Sequence, residues 1–457
     1  MRTIISLLLV VITTITSSMA LAVDTPETAL LKARNAEFQK DTVHVADNVY
    51  TFTGYSVQPV SMIVGKDGLV IVDTGIDTAS AKKVLAAMRK ITALPIKAIL
   101  ITHGHSDHIG GIPVFAAEGH PQIWARSNFR DEAHAFKREG LTINRIRGAR
   151  QGGFLLPPEK RINNGIAQAY YPKHSLEVFG TKATAIQPNH HLGSTRELIE
   201  VAGISLELVP INGETKDAMY IWYPAKRVLF SGDFFYSSWP NLYAIRGSEY
   251  RDVQSWISGL NQMLKEKPEK LVPGHTRPIT DKAEVMDRLT NYRDAVQYVF
   301  NKTIEGMNKG MTPDKLVEYV KLPQKYADKD YLRNYYGNIQ WAVRSIFAGT
   351  LGWFDGNPTH LFSLPVKAEA ERMATLAGGK AKLEQATLDA LNNKDYQWAA
   401  QLADQLIVLE PSTGKPKLMK AEALEGLAKH LLTATGRNYY LTCAQELRKA
   451  AEKHSVK

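Results

Sequence analysis

The first two-thirds of the chain runs in short bursts of apolar residues broken by turn residues, and the last third has a helical period. Val43-His44-Val45, Val49-Tyr50-Thr51-Phe52, Ser61-Met62-Ile63-Val64 and Leu69-Val70-Ile71-Val72 predict strands. Asp47-Asn48 and Gly65-Lys66-Asp67-Gly68 supply turns between them. Residues 24–40 form a helical lead-in, opened by Thr25-Pro26-Glu27. A helix from Ala79 to Ile91 leads to the apolar run Ile96 to Ile101. Residues 127–165 carry Arg, Gly and Pro without a regular period and read as a long loop or lid with helical pieces. Strands return at Ile199 to Val201, Ile204 to Val209, Met219 to Tyr223 and Val228 to Ser231, and a helix from Arg251 to Glu266 precedes Lys270-Leu271-Val272. Beyond His275, Lys282 to Lys309 is one continuous helical pattern, and from about residue 367 nearly everything is helical. Leu383, Ala386 and Ala390 face Ala399, Leu402 and Leu406 across the turn Asn392-Asn393-Lys394-Asp395, as in paired antiparallel helices. An α/β part followed by an all-α part is the expected architecture.

Composition changes this picture only at the ends and in its metal chemistry. The 457 residues are 44% hydrophobic and 22% charged, as in an ordinary globular protein, and allow two domains. At the start, Arg2, the apolar run Ile4 to Ile12 and Ala20-Leu21-Ala22 make a signal peptide over residues 1–22, cleaved after Ala22. That predicts a periplasmic or secreted protein without stable membrane insertion. The single cysteine, Cys443, cannot form an internal disulfide and is expected as a packed thiol in a C-terminal helix. A Cys-based zinc site is thereby excluded. The net charge of +10 is spread along the chain without a dense basic run, which favours an anionic small molecule over nucleic acid.

The chemistry concentrates in Thr102-His103-Gly104-His105-Ser106-Asp107-His108-Ile109-Gly110-Gly111, directly after the Ile96 to Ile101 strand. Imidazoles and a carboxylate are first-choice ligands for zinc and related divalent ions. One ion cannot comfortably use all four, but two neighbouring ions can. The stretch reads H-x-H-x-D-H and resembles the signature of the metallo-β-lactamase superfamily. The resemblance implies an αβ/βα sandwich, a supporting role for Asp73 in Asp73-Thr74-Gly75, a bridging carboxylate at Asp233 and a last histidine ligand at His275. Most members place a histidine where Val209-Pro210-Ile211-Asn212-Gly213-Glu214-Thr215 has Glu214. A carboxylate there is similar to the zinc alkylsulfatase branch. His190 and His191 compete for that ligand position, although they precede the strands instead of following them.

The alkylsulfatase resemblance extends to Asn241-Leu242-Tyr243-Ala244-Ile245-Arg246-Gly247 and Arg251-Asp252, where it implies sulfate binding by Asn241, Arg246 and Arg251. It extends again to Leu351-Gly352-Trp353-Phe354-Asp355-Gly356-Asn357-Pro358 and to Arg437 through Arg448, in the family's helical dimerisation region. The implied organisation is a catalytic domain over residues 23–285 and a helical dimerisation domain over 286–457, assembled as a homodimer. The implied cofactor is Zn²⁺, two per chain: His103, His105 and Glu214 on one ion, Asp107, His108 and His275 on the other, with Asp233 bridging and Asp107 and Asp233 serving catalysis. The implied reaction is hydrolysis of an anionic alkyl sulfate ester to alcohol and sulfate by a metal-activated water. Phe234, Phe235, Trp239 and Tyr243 are candidates for an alkyl groove, with core packing expected for at least half of them. The chain departs from the branch in Pro240, where many members have a histidine, in Thr350, where a tyrosine often stands, and in Asp233, where glutamate is common. It ends just after the last shared motif, before a sterol-carrier-like domain. The rival readings are a superfamily hydrolase of phosphoesters, lactones or β-lactams, and a binding or assembly protein with a degenerate site.

Overall fold

In the computed structural model, which describes residues 24–169 and 186–455, two sheets stack face to face. The signal peptide expected over residues 1–22 lies outside the described residues. The first sheet holds β1 (Asp41–Ala46), β2 (Val49–Thr53), β3 (Val60–Val64), β4 (Leu69–Val72), β5 (Ile96–Leu100), β6 (Gln122–Arg126) and β7 (His190–Leu192) in that order. Pairing is antiparallel from β1 to β4 and parallel from β4 to β7. The second sheet runs β12 (Lys270–Val272), β11 (Val228–Phe230), β10 (Met219–Tyr223), β9 (Ile204–Pro210), β8 (Glu197–Val201), with only the β11–β12 pair parallel.

Strand alternation explains the layers. Val45, Ile63, Val70, Val72, Leu206, Leu208 and Ile221 point inward and fuse the two sheets in one core. The opposite face of the first sheet, including Met62, Ile71 and Ile99, is covered by α2 (Thr78–Met88), through Val84 and Met88, and by α4 (Ile112–Ala116), through Phe115. A short α3 (Ser106–Ile109) comes between them in the chain. Over the second sheet, Tyr220, Trp222 and Leu229 are covered by Trp256 and Leu260 of α7 (Val253–Lys265) and by Leu289 and Tyr292 of α8 (Lys282–Asn308). This is the expected αβ/βα sandwich. Capping residues set the helix starts: Asp77 accepts from Ser80 N, Asp252 from Ser255 N and Asp281 from Glu284 N.

The lead-in is shorter than its pattern suggests. A helix, α1 (Pro26–Ala33), gives way to a 3-10 turn at Arg34–Phe38. The aperiodic stretch contains two helices, α5 (Asp131–Arg138) and α6 (Ile143–Gln151), joined across Gly140, whose φ is +69°.

The helical half follows: α9 (Pro313–Tyr319), α10 (Gln324–Ala327), α11 (Ile339–Leu351), α12 (Val366–Leu376), α13 (Lys380–Asn392), α14 (Tyr396–Leu409), α15 (Gly414–Lys429) and α16 (Ala434–Ser455). The helical pair read from the sequence is α13 and α14, packed through Leu383, Ala390, Ala399, Leu402 and Leu406. α8 carries the packing over the second sheet into this half, because Val285, Leu289 and Tyr292 share one cluster with Val343, Ile346 and Phe347 of α11. α16 lies on α15 and on α6, where Arg150 pairs with Glu446 at 2.8 Å. Cys443 sits half-buried in α16. Among the described residues no helix is long and apolar enough to cross a membrane.

Candidate metal centre and active site

The site forms where five strands end on one rim of the sandwich. β4 delivers Asp73, β5 delivers residues 102–108, β9 delivers Glu214, β11 delivers Asp233 and β12 delivers His275. β5 is parallel to β4, and β9 and β12 run in the direction of β11, so all these ends open on the same side. The turn after β5 presses against the loop after β4. A Cβ on Gly110 would lie 1.9 Å from the Ile76 carbonyl oxygen, and one on Gly111 would lie 2.0 Å from that of Thr74. Only glycine permits this approach. Thr74 N and its hydroxyl both donate to the His108 carbonyl at 2.8 Å, which fixes the second half of the motif.

Seven side chains from these loops converge as two groups. His103, His105, Glu214 and Asp233 form one; Asp107, His108 and His275 form the other, each with ligand atoms within 4.8 Å of one another. In the first, Glu214 Oε2 lies 3.6 Å from His103 Nε2 and 3.5 Å from His105 Nδ1. In the second, Asp107 Oδ2 lies 3.4 Å from His275 Nε2. Asp233 stands between them, with Oδ1 at 3.2 Å from His108 Nε2 and 3.4 Å from His275 Nε2, and Oδ2 at 3.9 Å from His103 Nε2. Metal ions fit this arrangement. Among the described residues the buried atoms His108 Nε2, Glu214 Oε2 and Asp233 Oδ1 have no hydrogen-bond partner, which is costly unless a cation satisfies them. The donors are all nitrogen and oxygen, suited to zinc and similar divalent ions.

Neighbouring groups orient the imidazoles. Asp73 Oδ2 lies 2.8 Å from His108 Nδ1 and accepts from the Thr102 hydroxyl, while Oδ1 accepts from Thr102 N. His275 Nδ1 faces the Val57 carbonyl at 3.1 Å, leaving Nε2 for the centre. Burial, with the neighbouring His108, holds His103 down at about 3, and burial with His103 and Arg246 holds His105 well below its usual value. His108 goes the other way. Burial opposes its charge, but Asp73 and Asp233 overcome that and raise it well above the ordinary range. Burial raises Glu214, against the pull of Arg251.

Arg246 reaches the rim of the centre, its Nη2 at 3.0 Å from His105 Nε2. Its backbone N–H donates to Gln151 Oε1, and among the described residues no carboxylate pairs with it. Arg251 is placed differently. It is 5% exposed; its Nη2 forms an ion pair with Glu214 Oε1 at 2.5 Å, and its Nη1 donates to the Asn241 carbonyl at 2.6 Å. Asn241 is buried behind it, its N–H donating to the Tyr236 hydroxyl. A cleft of about 470 Å³ opens over the two groups. Its apolar wall includes Phe136, Leu141 and Phe154 from the α5–α6 region, and its polar wall includes Arg246, Tyr336 and Thr435.

Of the four aromatic candidates, three take the core-packing role expected for at least half of them. Phe234, Phe235 and Trp239 are fully buried in the core beneath the second sheet, where Phe234 meets Trp256 and Phe235 meets Tyr292, and Tyr243 is outside the cleft lining. The α5–α6 wall was missed because its apolar residues are sparse among Arg, Lys and Gly. His190 and His191 sit on β7 away from both groups, with His190 against the Trp124 ring.

Comparison with known proteins gives this geometry a family. Residues 54–275 match the metallo-beta-lactamase superfamily, and residues 312–450 match the alkyl sulfatase dimerisation family. A linear primary-alkylsulfatase from Pseudomonas sp. is 34% identical over 398 residues, 84% of this chain and 73% of that protein. A second protein of that description, also from Pseudomonas sp., is 30% identical over 89% of this chain and 61% of its own length. The solved structure of the stereoselective inverting sec-alkylsulfatase Pisa1 from Pseudomonas sp. superposes with a TM-score of 0.82 at 27% identity, covering 90% of this chain and 66% of that one. The chain thus spans between about three-fifths and three-quarters of these relatives. With both family regions in order and this likeness along most of its length, the chain belongs to the alkylsulfatase branch of the metallo-beta-lactamase superfamily.

Proposed function

We propose that the protein hydrolyses alkyl sulfate esters to alcohol and inorganic sulfate at a centre of two divalent metal ions, zinc by its donor set. His103, His105, Glu214 and Asp233 would hold one ion; Asp107, His108, His275 and Asp233 the other. When bound, such ions supply Lewis acidity and lower the pKa of water enough to make a nucleophile near neutral pH. The observation that carries the substrate class is Arg246: a guanidinium with no carboxylate partner among the described residues, held beside His105 in the polar wall of the cleft. Its planar fork matches the oxygens of a sulfate group. Arg251 neutralises Glu214, so the extra carboxylate of this branch repels an anionic ester less. Asp107 and Asp233 face the reacting group from the two halves of the centre, and Phe136, Leu141 and Phe154 offer apolar surface to the organic tail.

Purified protein with zinc is expected to release sulfate from medium-chain alkyl sulfates, with kcat/KM above that for matched phosphoesters, lactones and β-lactams. No sulfate release across a range of chain lengths, with two metals bound per chain, would sink the reading. Export belongs to the same proposal, supported by the leader-like segment before Val23, and N-terminal sequencing of the mature protein tests it. So does a homodimer. The segment after α11 exposes Trp353 (74%), Phe362 (93%) and Val366, and the match over residues 312–450 concerns dimerisation. Sedimentation should give two chains, and Phe362→Asp should shift the equilibrium toward one.

A further inference from the structure

A second cavity, of about 920 Å³, adjoins the cleft. His105, Glu214 and Arg251 line both, whereas Phe136, Leu141 and Phe154 line the cleft alone. The loop after β6 and the loop after β9 form its walls, joined by three links. Asn128 Nδ2 donates to the Lys216 carbonyl at 2.8 Å, Arg130 N to Asp217 Oδ2 at 2.8 Å, and Arg126 Nη1 to the Ala218 carbonyl at 3.0 Å. Asp217 Oδ2 also accepts from Gly104 N at 3.1 Å, inside the H-x-H-x-D-H motif. Gly104 leaves room for both neighbours, since a Cβ there would lie 2.5 Å from Arg130 Cγ and 2.6 Å from Asp217 Oδ2. The cavity thus reaches the metal centre from a side that carries no apolar wall.

Most acidic side chains around it are already engaged. Glu249 pairs with Lys216 at 2.5 Å, Asp252 caps α7, Glu214 pairs with Arg251, and Asp217 takes two backbone N–H groups. Glu132 accepts from Glu249 N, and Asp131 is exposed. Two guanidiniums are left over. Among the described residues no carboxylate pairs with Arg126 or Arg130, and the Nε of each, like Thr215 Oγ1, is buried without a hydrogen-bond partner. Arg126 is 8% exposed and Thr215 9%. Burial lowers both guanidiniums from their ordinary value, against the pull of Asp217. Buried donors of this kind, carrying positive charge that no carboxylate answers, are completed by an anion.

The cleft supplies a reason for a second opening. An ester whose tail lies on Phe136, Leu141 and Phe154 leaves, after hydrolysis, an alcohol across the path by which it entered. A sulfate dianion returning that way would be stripped of water against apolar surface, at high cost. We propose that the second cavity is the exit for inorganic sulfate: the dianion passes Arg251 and is held in transit by Arg126, Arg130 and the Thr215 hydroxyl, while the alcohol leaves through the apolar cleft. This rests on the alkylsulfatase reading and adds a product-binding site to it.

Two measurements test the exit. Crystals of zinc-loaded protein are soaked in selenate, a tetrahedral dianion with an anomalous signal. A peak is expected beside Arg126 and Thr215, separate from any at Arg246, and weakened or lost in Arg126→Gln. No peak in the cavity, or one unchanged in Arg126→Gln and so an adventitious ion only, overturns the site. In rapid-mixing kinetics on a long-chain alkyl sulfate, Arg126→Gln is expected to lower kcat about 10-fold, the size of one lost charge-assisted contact, with kcat/KM within about twofold and a first-turnover burst of about one alcohol per chain. Thr215→Val, which keeps the shape and removes the hydroxyl, should show a smaller loss of the same kind. It carries both measurements should Arg126→Gln not fold, and Tm and zinc content are checked on each variant. A fall in kcat/KM equal to that in kcat, or an unchanged kcat in both variants, overturns the exit while the sulfatase reading stands. Wild-type protein inactive on every alkyl sulfate overturns the functional reading and the exit with it, and the selenate peak then decides only whether the cavity binds an anion.

Discussion

Asp73 and His108 face each other at 2.8 Å, with Asp73 held at a φ of +55° so that its carboxylate also accepts from Thr102 N and the Thr102 hydroxyl. The carboxylate keeps the proton of neutral His108 on Nδ1, which turns the Nε2 lone pair toward the centre. Asp73→Asn preserves the shape but puts an NH2 donor in place of one of the two accepting oxygens. We expect zinc affinity to fall by about 10- to 100-fold, read by competition with a chromogenic chelator and without any assay of activity.

The pair Arg251–Glu214 sets a second expectation. Both side chains are buried and 2.5 Å apart. Removing one partner of such a pair leaves an uncompensated charge, at a cost of about 3 kcal/mol, whereas replacing both with apolar residues comes near neutral. Arg251→Met should therefore destabilise the metal-free protein strongly in urea, and the double variant with Glu214→Leu should recover most of the loss. Protonation of Glu214 offers the single variant an escape, so its deficit should shrink as the pH is lowered.

The sequence carried the chemistry of this centre further than its cleft. The H-x-H-x-D-H run is local, and the chain after β5 carries four of the seven grouped side chains within six residues, so that part of the centre stood in one legible stretch. Glu214, Asp233 and His275 follow the ends of strands whose apolar runs were plain in the pattern. The cleft is different because its walls come from distant segments. α5 and α6 have weak apolar stripes, and Tyr336 arrives from a loop in the other half of the chain, brought in by backbone hydrogen bonds that leave no mark on residue type. The aromatic run after Asp233 follows the same logic: core packing, expected for at least half of it, takes Phe234, Phe235 and Trp239, because strand and helix packing and not proximity in sequence to the site decides where they turn.

Without metal, the centre should make stability fall on the alkaline side. His108 is raised well above its usual value by Asp73 and Asp233 acting against burial, and His275 is raised by Asp233 against burial. A histidine with a raised folded value contributes stability that is fully present below its unfolded value, about 6.5, and is lost as pH rises through the folded one. Glu214, raised by burial to about 8, adds a loss of the same sign between about 4.5 and 8. His103 and His105, both lowered, act with the opposite sign while unfolded histidine is losing its proton, and are spent by about pH 7.5. The Tm of chelator-treated protein should therefore drop between about pH 7.5 and about pH 9. Zinc-loaded protein, whose ligand nitrogens carry no proton, should show a much smaller drop and a higher Tm throughout.

Gly274 gives the sharpest steric test of the bridging position. A Cβ built on it would lie 2.2 Å from Asp233 Oδ1 and 2.6 Å from the Gly232 carbonyl carbon, and no positive φ is involved, so the conflict is one of space alone. The backbone cannot yield easily, because Gly274 N donates to the Gly232 carbonyl at 2.9 Å across the β11–β12 ends. Asp233 must therefore move, and with it the oxygen that stands 3.2 Å from His108 Nε2 and 3.4 Å from His275 Nε2. Gly274→Ala is expected to cost about 1–3 kcal/mol as an overpacked site and to lower zinc stoichiometry below two per chain. Gly193→Ala serves as the control: it has nothing within 4 Å of the new methyl group and should change stability by no more than about 0.5 kcal/mol. If Gly274→Ala keeps two zinc ions at wild-type affinity, Asp233 does not bridge the centre.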